Sequence, residues 1–312
     1  MPSTNASLPR RKANSPFCEP HDAQRPRPAG TLRREGAVFL RRAGIEDAPS
    51  NAERLLQGVL RVERIDLLAN PDRLVSSSQA RRYFDLLQKR AEHFPLQYLV
   101  GRCGFMDFEL KADSRALIPR PETELLVETA IERLAGGSPL VCDVGTGSGC
   151  IAIALARAIP SAKLFATDIS KPALELAQEN ARECGVADRI TFLEGDLLSP
   201  VRDMEGRFDA VCSNPPYVSC EEYGTLAPEI REHEPREALV AAEDGVEFHR
   251  RLIEEAPAFL KEGGWLLIEL PAGKRERVES FLPRCGTGIR GRRVVRDYAG
   301  MDRVLVAERV GR

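Results

Sequence analysis

Four consecutive residues, Asn214-Pro215-Pro216-Tyr217, stop an apolar run that begins at Phe208. The Asn214 side-chain oxygen and the Pro215 backbone carbonyl are two acceptors close together in the chain. Both N–H hydrogens of a planar –NH2 group can donate to them. The two prolines hold these acceptors still, so little reorganisation accompanies a reaction there. Tyr217 adds a flat surface for an amide or a base. An amide nitrogen is a poor nucleophile because its lone pair is delocalised into the carbonyl. Acceptors aimed at its hydrogens favour the positive charge that develops as it attacks. The chemistry this suits is transfer of a methyl group onto an amide or amine nitrogen. The methylated nitrogen is strongly acidic, so no dedicated base is required, and the sequence offers no obvious candidate. Taken alone, the quartet can also be read as a proline turn ending a strand.

A second segment, Asp143-Val144-Gly145-Thr146-Gly147-Ser148-Gly149-Cys150, lies at a strand-to-helix junction. Its glycines allow a tight turn and close approach of backbone to a ligand, and the helix that follows points donors and partial positive charge the same way. Asp168 ends the next strand, where an acid can accept from both hydroxyls of a ribose. Cys150 stands where a dinucleotide fingerprint requires Gly or Ala. Read as GxGxG, with Thr146 and Ser148 between the glycines, the loop fits a nucleoside with a short tail, as in S-adenosylmethionine. Three glycines in five residues can also simply make a turn. Asp196, after the third strand, is placed to accept from an adenine amino group, and Leu197 to pack on the ring, although an aspartate ending a strand is often only a turn or cap.

Other residues offer less. His93, His233 and His249 have no partners at metal spacing, so no metal site is expected. The run Glu229–Glu237 reads as a solvated loop, yet it follows the proline quartet closely enough for Glu234 and Arg236 to line a substrate mouth. Arg120, between Pro119 and Pro121, either orients a ligand or pairs with a carboxylate. Trp265 reads as core.

The elements that must position these residues follow from periodicity. Residues 31–95 place Leu, Val and Phe three and four apart between charges, the pattern of a small helical domain, with Ser76 to Ser78 offering N-caps. Residues 96–120 read as a linker holding a hairpin around Phe105, Phe108 and Leu110, and Pro121 suits the first turn of a helix. From 121 to 312 apolar strands alternate with helices, which gives a mostly parallel sheet covered on both faces. The end of the chain reads as two strands around a turn at Ala299-Gly300. Residues 1–30, rich in Arg, Pro and Ser, read as a disordered tail. They fit a transit peptide poorly, since Glu19 and Asp22 count against it.

Bulk properties set outer bounds. The 312 residues are 43% hydrophobic and 29% charged with a net charge of −2, so no overall basic field draws the chain to nucleic acid or a membrane. No stretch approaches the roughly 20 apolar residues that span a bilayer. Eight cysteines without a CxxC pair, several in apolar runs, point to a reducing cytoplasm without disulfides.

In chain order, the segments PLQYLVG, FMDFEL, ALIPRPETELLVE, DVGTGSGCIAIALA, SNPPYV, HEPREALVAAEDG and RDYAGMDRVLVAERV together resemble the peptide chain release factor glutamine N5-methyltransferases, the HemK/PrmC family. The resemblance runs from about Thr31 to Val310. It implies a seven-stranded class I methyltransferase domain behind a helical domain that contacts the release factor. It implies methyl transfer from S-adenosylmethionine to the glutamine of the Gly-Gly-Gln loop of release factors, leaving S-adenosylhomocysteine. By position, Gly145 to Gly149 and Asp168 match the cofactor site. Leu197 stands at an adenine contact that is often aromatic in the family. Asn214 to Tyr217 match the glutamine clamp, with Asn214 also near the cofactor. Pro271 departs from the family, which usually has glycine soon after the strand's glutamate. The quartet also occurs in adenine methylases of DNA and in glutamine methyltransferases of a ribosomal protein. A DNA enzyme should carry a basic target-recognition region, and the loop here is rather acidic; the ribosomal-protein reading stays open. A nucleoside-binding module without activity is a further reading, against which the intact loop, Asp168 and the quartet argue.

Overall fold

The structure is a computed structural model that describes residues 26–242, 244–282 and 288–311. It divides into two compact units, the first ending at Val100 and the second starting at Gly101.

The first unit is helical: α1 (Ala29–Arg42), α2 (Ala48–Leu60), α3 (Arg64–Ala69), α4 (Ser77–Ala91) and α5 (Leu96–Val100), with a short antiparallel pair of β1 (Arg27–Pro28) and β2 (Leu74–Val75). Apolar residues at helical spacing meet in one core that includes Leu32, Leu40, Leu55, Leu56, Tyr83 and Leu87. Ser76 caps α4 as expected, accepting from the Gln79 backbone while the Gln79 side chain returns to the Ser76 backbone. Such a box satisfies two otherwise unmet amides. Two boundaries shift from the sequence reading. Residues 27–30 already belong to β1 and α1 rather than to a tail; residues 1–25 lie outside the described residues. Leu96 is buried in the helical core, so the stretch read as one linker over 96–120 divides at Val100.

The second unit begins with the hairpin β3 (Arg102–Phe105) and β4 (Phe108–Lys111), then α6 (Pro121–Arg133), β5 (Leu140–Val144), α7 (Cys150–Ala158), β6 (Lys163–Asp168), α8 (Lys171–Glu183), β7 (Ile190–Glu194) and β8 (Phe208–Ser213). Short helices α9 (Cys220–Tyr223) and α10 (Pro228–His233) precede α11 (Glu247–Phe259), β9 (Leu260–Glu269), α12 (Arg275–Glu279), β10 (Ile289–Arg296) and β11 (Asp302–Arg309). Seven strands form one sheet in the order β10-β11-β9-β8-β5-β6-β7. Among the described residues of this sheet, only the pairings of β11 are antiparallel.

Apolar cores cover both faces of this sheet. Leu126 and Val127 of α6 and Ile151 and Leu155 of α7 pack on one; Leu252 and Ile253 of α11 and Val278 of α12 pack on the other. Strands covered twice carry continuous apolar runs, which is why β5 and β8 are legible in the sequence. Phe105 and Leu110 of the hairpin join the first of these cores, so residues from Gly101 onward belong with the sheet. Trp265 packs at the margin of that core, half-buried, with the Arg133 guanidinium 4.7 Å above its ring.

Candidate active site

A cavity of about 310 Å3 opens beyond the carboxyl ends of β5, β6 and β8. In an open parallel sheet this is where ligands bind, because the helices depart to opposite faces and leave a crevice. Gly145, Thr146, Gly147 and Ser148 form one wall, Asp168, Ile169, Asp196 and Leu197 a second, and Asn214, Pro215 and Pro216 a third.

The glycine loop is held by the sheet itself. Gly145 and Thr146 donate backbone N–H to the Thr167 carbonyl at 2.8 and 2.9 Å. Among the described residues, a methyl group added to Gly145 or Gly147 would meet nothing within 4 Å, so the loop leaves space on its cavity side. Gly149 is different. It has φ +85°, and a Cβ there would press on Ala177 of α8 at 3.1 Å. It does not line the cavity, and its smallness serves the packing of α7 against α8. The amino end of α7 is also not wholly turned to a ligand. The buried Asp143 carboxylate accepts from the Ala152 amide at 3.1 Å and from the Thr146 hydroxyl at 2.6 Å. Burial pushes its pKa up to about 7 against those bonds.

Asp168 lies within reach of both neighbours: Oδ2 accepts from the Gly147 amide at 2.8 Å and Oδ1 from the Ser170 amide at 2.8 Å. Burial raises its pKa, and these backbone donors oppose the rise. Each oxygen keeps a lone pair for a hydroxyl donor. Leu197 adopts φ +47°, a left-handed backbone that costs a branched residue energy. The Thr167 hydroxyl, donating to the Leu197 carbonyl at 2.8 Å, holds it there. Asp196 lines the cavity, and both its oxygens accept from Arg251 of α11, at 2.6 and 3.2 Å, so an adenine amino group there would share a carboxylate already engaged with a guanidinium.

The third wall is assembled from afar. Asn214 donates its Nδ2 to the Thr123 hydroxyl at 3.0 Å, and that hydroxyl donates to Glu269 Oε2 at 2.7 Å. Thr123 stands in the first turn of α6 and Glu269 ends β9. Glu269 is fully buried, which pushes its pKa up to about 7 despite the Thr123 bond. Beyond Pro216, Val218 pairs with Val240 through bonds of 2.8 and 2.9 Å to Leu239 and Ala241. Gly245, with φ +73°, lies so close that a Cβ would come within 2.5 Å of the Tyr217 carbonyl. Tyr217 itself is not among the residues that line the cavity. Burial and the Glu269 charge push its phenol up to about 12, and its carbonyl accepts from Lys274 Nζ at 3.4 Å. The flat surface expected of this ring is therefore not part of the cavity lining.

Arg120 lines the cavity and also pairs with a carboxylate. The partner is Glu234, 2.6 Å away, whose second oxygen accepts from the Ile118 amide at 3.1 Å. Glu234 is buried and fixes the IPRP segment; Arg236 lies over the Tyr223 ring at 5.3 Å. Neither lines the cavity, whereas Pro235 and Glu237 between and beside them do. His249 is fully buried, its Nε2 bonded to the Glu269 carbonyl at 2.9 Å. Burial brings its pKa down to about 4. Among the described residues no group of three or more His, Cys, Asp or Glu side chains could hold a metal ion.

Comparison with known proteins gives matches over both units. Residues 31–101 match the PrmC N-terminal domain and residues 121–233 the methyltransferase small domain. A release factor glutamine methyltransferase of Geobacter sulfurreducens is 39% identical over 273 residues, covering 88% of this chain and 93% of the relative. The chain belongs to the release factor glutamine methyltransferase family. A member from Nitratidesulfovibrio vulgaris is 40% identical over 264 residues, 84% of this chain and 89% of its own. The catalytic domain of hMettl16, crystallised with an RNA hairpin, superposes with a TM-score of 0.52 at 16% identity over 77% of this chain and 86% of that one. At that identity it shows the shared fold alone. The protein is thus a methyltransferase of the class I fold, as the resemblance implied.

Sequence reasoning did not single out Thr123, Ile169, Gly245 or Glu269. Thr123 and Gly245 lie inside the segments PRPETE and AAEDG that carried the resemblance, but nothing in their spacing ties them to Asn214. Ile169 follows Asp168 directly and is 68% exposed, an apolar side chain left uncovered at the cavity wall, which is the sign of a ligand surface.

Proposed function

We propose that the cavity holds S-adenosylmethionine and that its third wall presents the glutamine of a release factor Gly-Gly-Gln loop for methylation at the side-chain nitrogen. The residues fit the cofactor. The open cavity side of Gly145 and Gly147 admits a ligand close to the backbone, Asp168 offers an oxygen to each ribose hydroxyl, and Ile169 and Leu197 are apolar walls for a flat base. When bound, the cofactor supplies a methyl group on a positively charged sulfur.

The observation that carries the reading is the state of Asn214. Its Nδ2 is committed to Thr123, which leaves Oδ1 to accept one hydrogen of the substrate –NH2, while the Pro215 carbonyl accepts the other. Both acceptors are fixed before substrate arrives, so they stabilise positive charge on the attacking nitrogen without rearranging. The surplus proton leaves an already acidic nitrogen, so no base is needed. Arg120, held by Glu234, is a charge at the same mouth. The helical unit, matching the PrmC N-terminal domain, is the part proposed to contact the release factor. No nucleic acid or membrane partner is proposed; no helix among the described residues is long and apolar enough to cross a membrane. Release factors work in the cytoplasm, where free cysteines such as Cys142, Cys150 and Cys212 stay reduced.

The test is incubation of purified protein and release factor with isotopically labelled methyl donor, followed by peptide mass spectrometry. One labelled methyl on the glutamine of the Gly-Gly-Gln peptide is expected. Label on a ribosomal protein or on adenine, with none on the release factor, overturns the proposal.

A further inference from the structure

The line Asn214–Thr123–Glu269, its last two members buried, joins three elements distant in sequence and ends on an acid that does not line the cavity. We propose that Thr123 and Glu269 are positioning residues: the carboxylate of Glu269 dictates which way round the Asn214 carboxamide stands, and so whether its oxygen is free for the substrate amide. This rests on the reading of Asn214 as the amide clamp and adds what holds the clamp in its working orientation.

The argument is one of donors and acceptors. A carboxylate only accepts, so with Glu269 charged the Thr123 hydroxyl must donate to it across 2.7 Å. The hydroxyl then has only lone pairs to offer, and a neighbour at 3.0 Å must come with an N–H. Asn214 therefore turns Nδ2 toward Thr123 and leaves Oδ1 for substrate. With Glu269 protonated, its O–H can donate to Thr123, and Thr123 can donate onward to Asn214. That bond draws Oδ1 inward and turns the –NH2 of Asn214 toward the –NH2 of the substrate, two donors facing each other. A buried polar line of this kind has two consistent directions, and the proton on its end group chooses between them.

The surroundings leave this choice to Glu269. Among the described residues its Oε1 has no hydrogen-bond partner. Arg120 and Glu122 act on it from the α6 side, Arg303 from β11, and Tyr217 shares its field from the loop. His249 of α11 holds only the Glu269 backbone carbonyl and stays neutral near pH 7, because burial brings it down to about 4. Cys150 also senses the Glu269 charge, and its own thiol is pushed up by burial. Burial of Glu269 against a single hydroxyl donor leaves it titrating near about 7. The sign follows: the raised group is protonated below about pH 7, so the productive orientation is lost as pH falls and gained as pH rises.

The experiment measures kcat, KM for release factor and cofactor Kd for the native protein, Thr123→Val, Thr123→Ser and Glu269→Gln, with kcat followed from about pH 5.5 to about pH 9. Native kcat is expected to rise through about pH 7 with release of one proton. Thr123→Val should lower kcat roughly tenfold or more while cofactor Kd stays within about twofold, and Thr123→Ser, which keeps the hydroxyl, should recover most of it. Glu269→Gln is of equal size and should lose the acid limb. Asp143 also titrates near about 7, so an acid limb kept in Glu269→Gln assigns it elsewhere and overturns the proposal. A native kcat that is flat below about pH 8 overturns it without any variant, as does full activity in Thr123→Val. Asn214→Ala separates the two readings: if it leaves turnover intact the clamp itself is wrong, whereas loss in Asn214→Ala with normal Thr123→Val refutes only the line behind it.

Discussion

The two ends of the cavity are built by different means. The glycine loop is fixed by its own strand and the next one: Gly145 and Thr146 bond to Thr167, and Gly147 to Asp168. All of these residues lie within 24 positions of one another, from Gly145 to Asp168. The Asn214 corner is fixed by Thr123, 91 residues earlier, by Glu269 behind it, and by Gly245 and Val240 beyond the prolines. A ligand that only needs to be held can be met by a loop that folds locally. A reacting nitrogen needs acceptors placed to within a fraction of an ångström, and that takes braces from several directions.

The sharpest break in this comparison is Asn214→Ala. It removes one of two acceptors for the developing charge, so turnover should fall about 10²- to 10³-fold with cofactor Kd nearly unchanged. Steady-state kinetics beside calorimetric cofactor titration would show it, and equal losses in both quantities would deny the division between the ends. Asp168→Ala works on the other end. Losing a charged acceptor for two hydroxyls should weaken cofactor binding by roughly 100-fold, read by the same titration; an unchanged Kd removes Asp168 from the ribose. Gly245→Ala tests whether the corner depends on distant backbone. A Cβ 2.5 Å from the Tyr217 carbonyl at positive φ should cost about 1–3 kcal/mol. Turnover should drop about tenfold as the corner shifts, with a lower Tm and cofactor Kd little affected. The smallest effect belongs to Asp196→Ala. Its partner Arg251 is partly exposed, and such pairs contribute about 0–1 kcal/mol. Cofactor Kd should move by no more than a few-fold, and a loss as large as that of Asp168→Ala would assign Asp196 to the adenine site.

What was legible follows the same division. The strands β5 and β8, the loop between Asp143 and Cys150, Asp168 at the end of its strand and the Ser76 cap are local patterns, and all stand where periodicity and spacing put them. The hairpin was visible in Phe105, Phe108 and Leu110, but its allegiance was not. Burial of Phe105 and Leu110 under the sheet is a tertiary fact, so a segment read as linker divides at Val100. Gly149 was grouped with the cofactor loop by spacing and by resemblance, and the neighbouring Ala177 shows that its smallness serves helix packing. Asp196 stood at the right place in the series, and Arg251, 55 residues away, takes its carboxylate. Tyr217 was drawn into the site by its neighbours, and it is not among the residues that line the cavity.

The chain by itself determined the class of sheet, the glycine loop, the acid that ends the next strand and the two stiffened acceptors, because each rests on residues that are neighbours in sequence or one repeat apart. Only the tertiary structure decided what those acceptors face. Thr123, Glu269, Gly245 and Glu234 reach the corner through packing of α6, β9 and the loops after β8. No one-dimensional pattern records that, because a hydrogen bond across 91 residues depends on where the sheet and helices bring the chain back.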